Sequence, residues 1–381
     1  MKQKVLILGL IMAQFTGLAA LAAPAGDTEI GGTYYNKIVQ LKDVIADVLP
    51  PPAYIIESYL VSLEMLDSLD KGDQAKIAEL SKYAGLLKDG DSAKGSPFPG
   101  YYERINVWKK DLPSTTPTEK KIKDLMTQLS VEPATQFFKV RDEKFHPLVK
   151  AGKLAEATQV LRGEMKPLYD KHRKQIDLLV AAATQEFQAT EKLASGKAAK
   201  GETAELKVRG AIYTKLMILK DLIADVLPPP KYLIESYLVA LEAIDAADAA
   251  KTGGDKSKVG QLVQYGKLLA NANSSKDPFP GYTERQEYWV SNLPEATLPE
   301  RNIKELMTKL SHEPAKKFYE VRDSKFVPAV TAGNVADAKK VLREELRPLY
   351  DSHRGHIDFL VARANKNYKL LESEVDRMVA K

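Results

Sequence analysis

Apolar residues recur along this chain at helical spacing almost throughout, and no run of strand-like alternation interrupts them. Ile38, Leu41, Ile45 and Val48 form a stripe at 3,4 spacing, which predicts a first helix ending near Leu49. Pro50, Pro51 and Pro52 stop it, because proline lacks an amide donor and disfavours helical geometry in the residue before it. The last of them can open the next helix, which carries Ile56, Tyr59, Leu60, Leu63 and Leu66. A Gly/Ser/Pro loop over 89–100 follows, then a short helix from Tyr101 to Lys110. Helical stretches at about 117–130 and 133–149 and a long helix over about 153–193 complete the pattern.

The pattern then starts again. The segment from Lys42 to Leu60 returns as Lys220 to Leu238, with sixteen of nineteen positions identical. Pro97-Phe98-Pro99-Gly100-Tyr101 answers Pro278-Phe279-Pro280-Gly281-Tyr282, and Val140-Arg141-Asp142 answers Val321-Arg322-Asp323. Pro167-Leu168-Tyr169 with His172-Arg173 answers Pro348-Leu349-Tyr350 with His353-Arg354. Copy one covers 33–195 and copy two 211–374, joined by a small, polar linker over 196–210. Each copy is long enough for its own core, well beyond solenoid repeats of about 20–50 residues. The expected fold is all-α, as two tandem antiparallel helical bundles of four-helix type.

The repeat also works as an internal alignment, showing which polar residues survive on apolar faces. Arg141 projects into a stripe of Ala134, Phe137, Phe138, Phe145 and Leu148, and Arg322 into one of Ala315, Phe318, Tyr319, Phe326 and Ala329. A guanidinium aimed into a core keeps its charge, so it needs either an internal acceptor or a ligand carboxylate. His172 lies in a seam of Leu161, Met165, Tyr169, Ile176 and Leu179, and His353 in the matching seam of copy two. Each is either a satisfied core histidine or a ligand contact. Tyr101, Arg104 and Trp108 share a helix face, as do Tyr282, Arg285 and Trp289. That face either closes a pocket or caps the bundle. Glu57 and Glu235, beside Tyr54 and Tyr232, are placed to pair with the arginines or with a ligand amine. Asp43 and Asp47, with Asp221 and Asp225, project away from the stripe of the first helix, so they are candidates for partner contact.

Composition narrows the chemistry. Cysteine is absent, which rules out disulfides, thiol catalysis, Cys-ligated metal and covalent haem attachment. Haem would need axial ligation by His172 or His353, and no cofactor is expected. His353-x-x-His356 has helical metal spacing, but copy one has Gln175 there and no third ligand is evident, so no metal is expected either. The net charge of +5 is spread without a basic block, which argues against nucleic acid. Met1 to Lys4 and the apolar run Val5 to Leu21, ending in Ala20-Leu21-Ala22, read as a signal peptide over 1–22. An uncleaved anchor is the competing reading, and Gln14, Thr16 and the Ala-rich end favour cleavage. No membrane span is expected after cleavage, and the predicted location is the periplasm.

The stretch Leu49-Pro50-Pro51-Pro52 followed by Tyr54, Ile56 and Glu57, together with Pro99-Gly100-Tyr101 and Arg104, resembles the helical periplasmic sensor region of bacterial methyl-accepting chemotaxis receptors and sensor kinases. The later Pro167-Leu168-Tyr169 with His172-Arg173 belongs to the same likeness, which covers both copies. It implies a helical bundle that recognises a small solute. No apolar span or signalling coiled coil follows Leu371, and the unit occurs twice. The resemblance therefore implies a protein that binds solute and presents it to a membrane receptor ectodomain, or competes for it. An envelope scaffold without a small-molecule ligand is the alternative. No nucleophile elbow, phosphate loop or His-Glu-x-x-His helix is present, so an enzyme is not expected.

Overall fold

Two threonines show how locally the helices are set. Thr116 accepts a hydrogen bond from the Glu119 amide at 3.1 Å, and the Glu119 carboxylate accepts one back from the Thr116 amide. Thr297 and Glu300 repeat this reciprocal cap in copy two. Such boxes satisfy amides that the first helical turn leaves without partners.

The computed structural model describes residues 53–199, 231–251, 253–277 and 279–379, with scattered residues between 29 and 42 and between 207 and 220. Side chains at 191–199, 368–369 and 371–379 are excepted. The expected signal segment, both three-proline breaks and Asp43, Asp47, Asp221 and Asp225 lie outside the described residues.

The described chain is all-α. Copy one contains α1 (Ile56–Asp70), α2 (Gln74–Asp89), α3 (Tyr101–Asp111), α4 (Pro117–Asp124), α5 (Val131–Val140), α6 (His146–Lys150), α7 (Leu154–Val160) and α8 (Lys166–Ala199). Copy two follows with α9 (Ile234–Lys251), α10 (Ser257–Asn271), α11 (Tyr282–Asn292), α12 (Leu298–Glu305), α13 (His312–Val321), α14 (Val327–Thr331), α15 (Val335–Val341) and α16 (Arg347–Val379). Among the described residues, Glu29 and Lys207 pair in an antiparallel bridge.

Wide π turns join several of these helices, at matching places in the two copies. They span Leu125–Leu129, Arg141–Phe145 and Leu161–Met165, and then Leu306–Leu310, Arg322–Phe326 and Leu342–Leu346. In each an amide reaches back five residues, as from His146 to the Arg141 carbonyl and from Val327 to that of Arg322. A wide turn shifts the helical phase, so apolar residues spaced 4,4 stay on one face. Leu161, Met165, Tyr169, His172, Ile176 and Leu179 are all buried as a result.

The periodicity ran α1 and α2 together. α1 stops at Asp70, Gly72 takes φ +73°, and the Asp73 side chain accepts from the Lys76 amide at 2.9 Å to start a new helix.

The chain forms two compact units. Of the described residues, one unit comprises those between 50 and 193 and between 214 and 227, the other those between 228 and 381, between 1 and 49 and between 194 and 213. The sharing departs from the repeat at the first-helix segments. Lys220, which heads copy two in sequence, sits with its ammonium 4.7 Å from the Phe187 ring of copy one. Tyr35 and Tyr213 meet edge-on at 6.5 Å in the other unit. Among the described residues no helix is long and apolar enough to cross a membrane.

Candidate functional site: buried polar groups in two related cores

The two arginines are buried, at 1 % exposed for Arg141 and 4 % for Arg322, and both are held from within. Arg141 donates from Nε to Asp142 at 2.7 Å and from Nη1 to the Ala84 carbonyl at 3.0 Å, and lies 4.9 Å over the Phe138 ring. Arg322 grips Asp323 with two parallel bonds of 2.8 and 3.1 Å, reaches the Gly266 carbonyl at 2.6 Å and lies over Tyr319. Of the two readings of these arginines, the geometry is that of the internal acceptor. Lys88 takes the second oxygen of Asp142 at 2.9 Å. Burial would raise the Asp142 carboxyl, but the bonds from Arg141 and Lys88 outweigh it and hold the group below its usual range.

The glutamates serve other neighbours. Glu57 accepts from Tyr83 at 2.6 Å and Glu235 from Tyr265 at 2.7 Å, so the carboxylate on each arginine is the next residue in the chain instead. Trp108 and Trp289 are buried, with Arg104 and Arg285 over their rings at 5.3 and 5.2 Å. Around them the structure has the geometry of a cap. The Gly100 amide donates to the Gly90 carbonyl at 2.8 Å and the Gly281 amide to that of Ala272 at 2.8 Å. A Cβ on either Gly100 or Gly281 would run into the backbone it crosses. Ser92 and Ser274 then tie the loop to Glu103 and Glu284.

The shared tyrosines and histidines make a column of rings. In copy one Tyr59 stacks on Tyr169 at 4.4 Å, Tyr54 bonds Tyr169 through their hydroxyls at 2.7 Å, and Tyr54 stacks on His172 at 5.8 Å. Tyr101 closes the end, edge-on to His172 at 6.2 Å. Copy two repeats it with Tyr237, Tyr350, Tyr232, His353 and Tyr282. Both histidines are wholly buried. His172 Nδ1 lies 2.8 Å from the Ser130 carbonyl, which only accepts, so that nitrogen carries the hydrogen. Burial pushes its pKa down to about 4, so the ring is neutral at pH 7 and Nε2 is an acceptor. That Nε2 is buried without a hydrogen-bond partner.

Beyond this column the copies diverge, at positions that the residues shared between them do not mark. Where copy one has Ala53, Ile105, Val131 and Phe138, copy two has Lys231, Gln286, His312 and Tyr319. Lys231 is 0 % exposed, donates to Gln286 Oε1 at 2.5 Å and sits 3.7 Å over the Tyr282 ring. Gln286 is fixed by its own bond to the Thr308 carbonyl at 2.8 Å. His312 lies flat against Tyr282 at 5.8 Å with Nδ1 3.3 Å from its hydroxyl, and Tyr319 bonds Ser236 at 3.0 Å. His353 has the Ser311 carbonyl 2.7 Å from Nδ1 and the Lys231 carbonyl 3.0 Å from Nε2. Burial first, with the Lys231 charge adding to it, pushes its pKa down to about 3.

Among the described residues no three His, Asp or Glu side chains gather as a metal site, and His356 bonds the Ser352 carbonyl of its own helix. Comparison of the chain with protein-family models, with curated proteins and with solved structures gives no match.

Proposed function

We propose that the chain is a small-solute-binding protein of the periplasm, built as two tandem helical bundles, which serves chemosensing by presenting solute to a membrane receptor ectodomain. The observation that carries this reading is the His172 acceptor, buried at the end of a ring column without a partner. An unsatisfied buried polar atom costs about 1–3 kcal/mol, and packing alone gains nothing from it. A solute hydroxyl, amide or amine donating to Nε2 would recover that cost, with its body against Tyr54 and Tyr101. Arg141 and Arg322 hold internal partners and have no ligand role in this proposal.

The test is a thermal-shift screen of the full chain at pH 7 against alcohols, amides, amines and amino acids. A ligand at 100 times its Kd stabilises the fold by about 2.7 kcal/mol, a rise of several degrees for a body of this size. The expected result is a hit that is lost in His172→Phe, which keeps a flat ring and removes the acceptor. A screen that is flat, or a hit indifferent to His172→Phe, overturns the reading.

A second reading is favoured by a different observation. Leu129 and Leu310 occupy the same place in the two copies and are both exposed, as are Leu178 and Phe359. Repeated exposed apolar residues suit a scaffold that docks a protein partner. Capture of a receptor ectodomain that is abolished by Leu129→Lys with Leu310→Lys, while solute binding is nil, would establish it.

A further inference from the structure

Two contacts near the start of the copies join residues to their own equivalents. Glu29 pairs with Lys207 in the antiparallel bridge, and Tyr35 meets Tyr213 edge-on at 6.5 Å. Both pairs stand at the offset that relates Lys42 to Lys220. Residues touch their own equivalents where two like segments meet about a local two-fold axis, as at the isologous interface of a symmetric dimer. Here both segments belong to one chain.

Beyond these contacts each segment leaves its own copy. Among the described residues, Tyr35, Asn36, Val39 and Lys42 precede copy one's α1, yet they belong to the compact unit of copy two. Thr214, Leu216, Met217 and Lys220 precede copy two's α9, yet they belong to the unit of copy one. Leu216 and Met217 are buried. The Lys220 ammonium lies over Phe187, on an α8 face whose Ala183, Phe187 and Thr190 are buried at 4,3 spacing.

We propose that the two copies exchange their first segments within the chain, so that each helical unit is completed by the segment of the other copy and neither is complete alone. The sequence explains why such exchange costs little. Sixteen of nineteen positions are identical between Lys42–Leu60 and Lys220–Leu238, so a face that accepts one segment accepts the other with nearly the same contacts. Swapping an identical element between protomers is a low-cost route to a dimer. Fusing the two protomers in one chain keeps the partner's segment at high local concentration. Doubling is then a requirement of the fold and more than a second binding unit.

The inference does not depend on what the chain binds. In its test a protease site is inserted between Gly201 and Glu202 of the full chain, which is cleaved and passed over a sizing column. The expected result is a single species with one unfolding transition, whereas two separately folded halves overturn the proposal. This measurement alters no core residue, so it stands even if the thiol variants fold poorly. Because the chain has no cysteine, an introduced thiol pair reports one contact. The monomeric variant Thr184→Cys/Lys220→Cys, with Thr184 one turn from Phe187 on α8, is treated with a short bis-maleimide and then cleaved. Its two halves are expected to stay joined on a denaturing gel. Thr184→Cys/Lys42→Cys, the pair that an unexchanged fold would bring together, is expected to stay unlinked. No link at Lys220, a link at Lys42 in its place, or a link at Lys220 found only in species of twice the chain's mass overturns exchange within the chain.

Discussion

Asp142 neutralises a charge that no water reaches, and its removal should expose the cost. Arg141 would then be buried against one carbonyl and a ring. Breaking a buried pair from one side typically costs about 3–5 kcal/mol. Asp142 is itself 32 % exposed and Asp323 46 %, so both variants fall toward the low end or below it. Asp142→Ala is expected to lower stability by about 2–3 kcal/mol and Asp323→Ala by less, read from urea midpoints of the full chain. The histidines set a second expectation. His172 titrates near 4 and His353 near 3 in the folded chain, against about 6.5 unfolded, so the unfolded chain takes up protons first as pH falls. The stability they confer is complete above pH 6.5 and is lost as pH drops toward 4 and then 3, by roughly 3 kcal/mol for His172 once passed. Urea midpoints at pH 7 and pH 4.5 should therefore differ, and His172→Gln should shrink the difference. The arginine sites were legible as buried charges, but their partners were not. Adjacent residues on a regular helix point about 100° apart, so helical projection does not place Asp142 on Arg141.

At the level of elements, most helices could be read from their spacing. α3 starts at Tyr101 as expected, whereas the single long helix expected over about 153–193 is divided into α7, the π turn Leu161–Met165 and α8, which begins at Lys166. The spacing does not show the turn between α1 and α2, because apolar residues continue on both sides of it and the break depends on Gly72 and Asp73. The loop before α3 was recognised by its prolines, but its fixed point is a glycine. Gly100 crosses the Gly90 backbone so closely that Gly100→Ala must separate two hydrogen-bonded strands of chain. The variant is expected to lose about 2–4 kcal/mol, as a steric change at a packed crossing does, and to free Ser92 from Glu103. Amide exchange at Gly100 and Ser92 would report it, with Gly72→Ala, where nothing crowds the site, as the comparison for strain at positive φ alone.

Across the whole molecule, duplication could be seen in the sequence at once, whereas the chemical divergence could not. Comparing copies directs attention to what they share, and the shared residues proved to be the frame of the core: a ring column, two satisfied arginines and two loop glycines. The residues that differ, Lys231 and Gln286 above all, become meaningful only when the fold brings Lys231 onto Tyr282 and against Gln286. The six π turns of the described residues put these events in order. A wide turn holds one residue more than the α turn it replaces, and three of them fall at matching positions in both copies. Three coincident insertions made independently are far less economical than one ancestor that already had them. The chain thus keeps a chronology: widened turns in a single ancestral unit, then doubling of that unit, then divergence of the two core walls, apolar in one descendant and polar in the other.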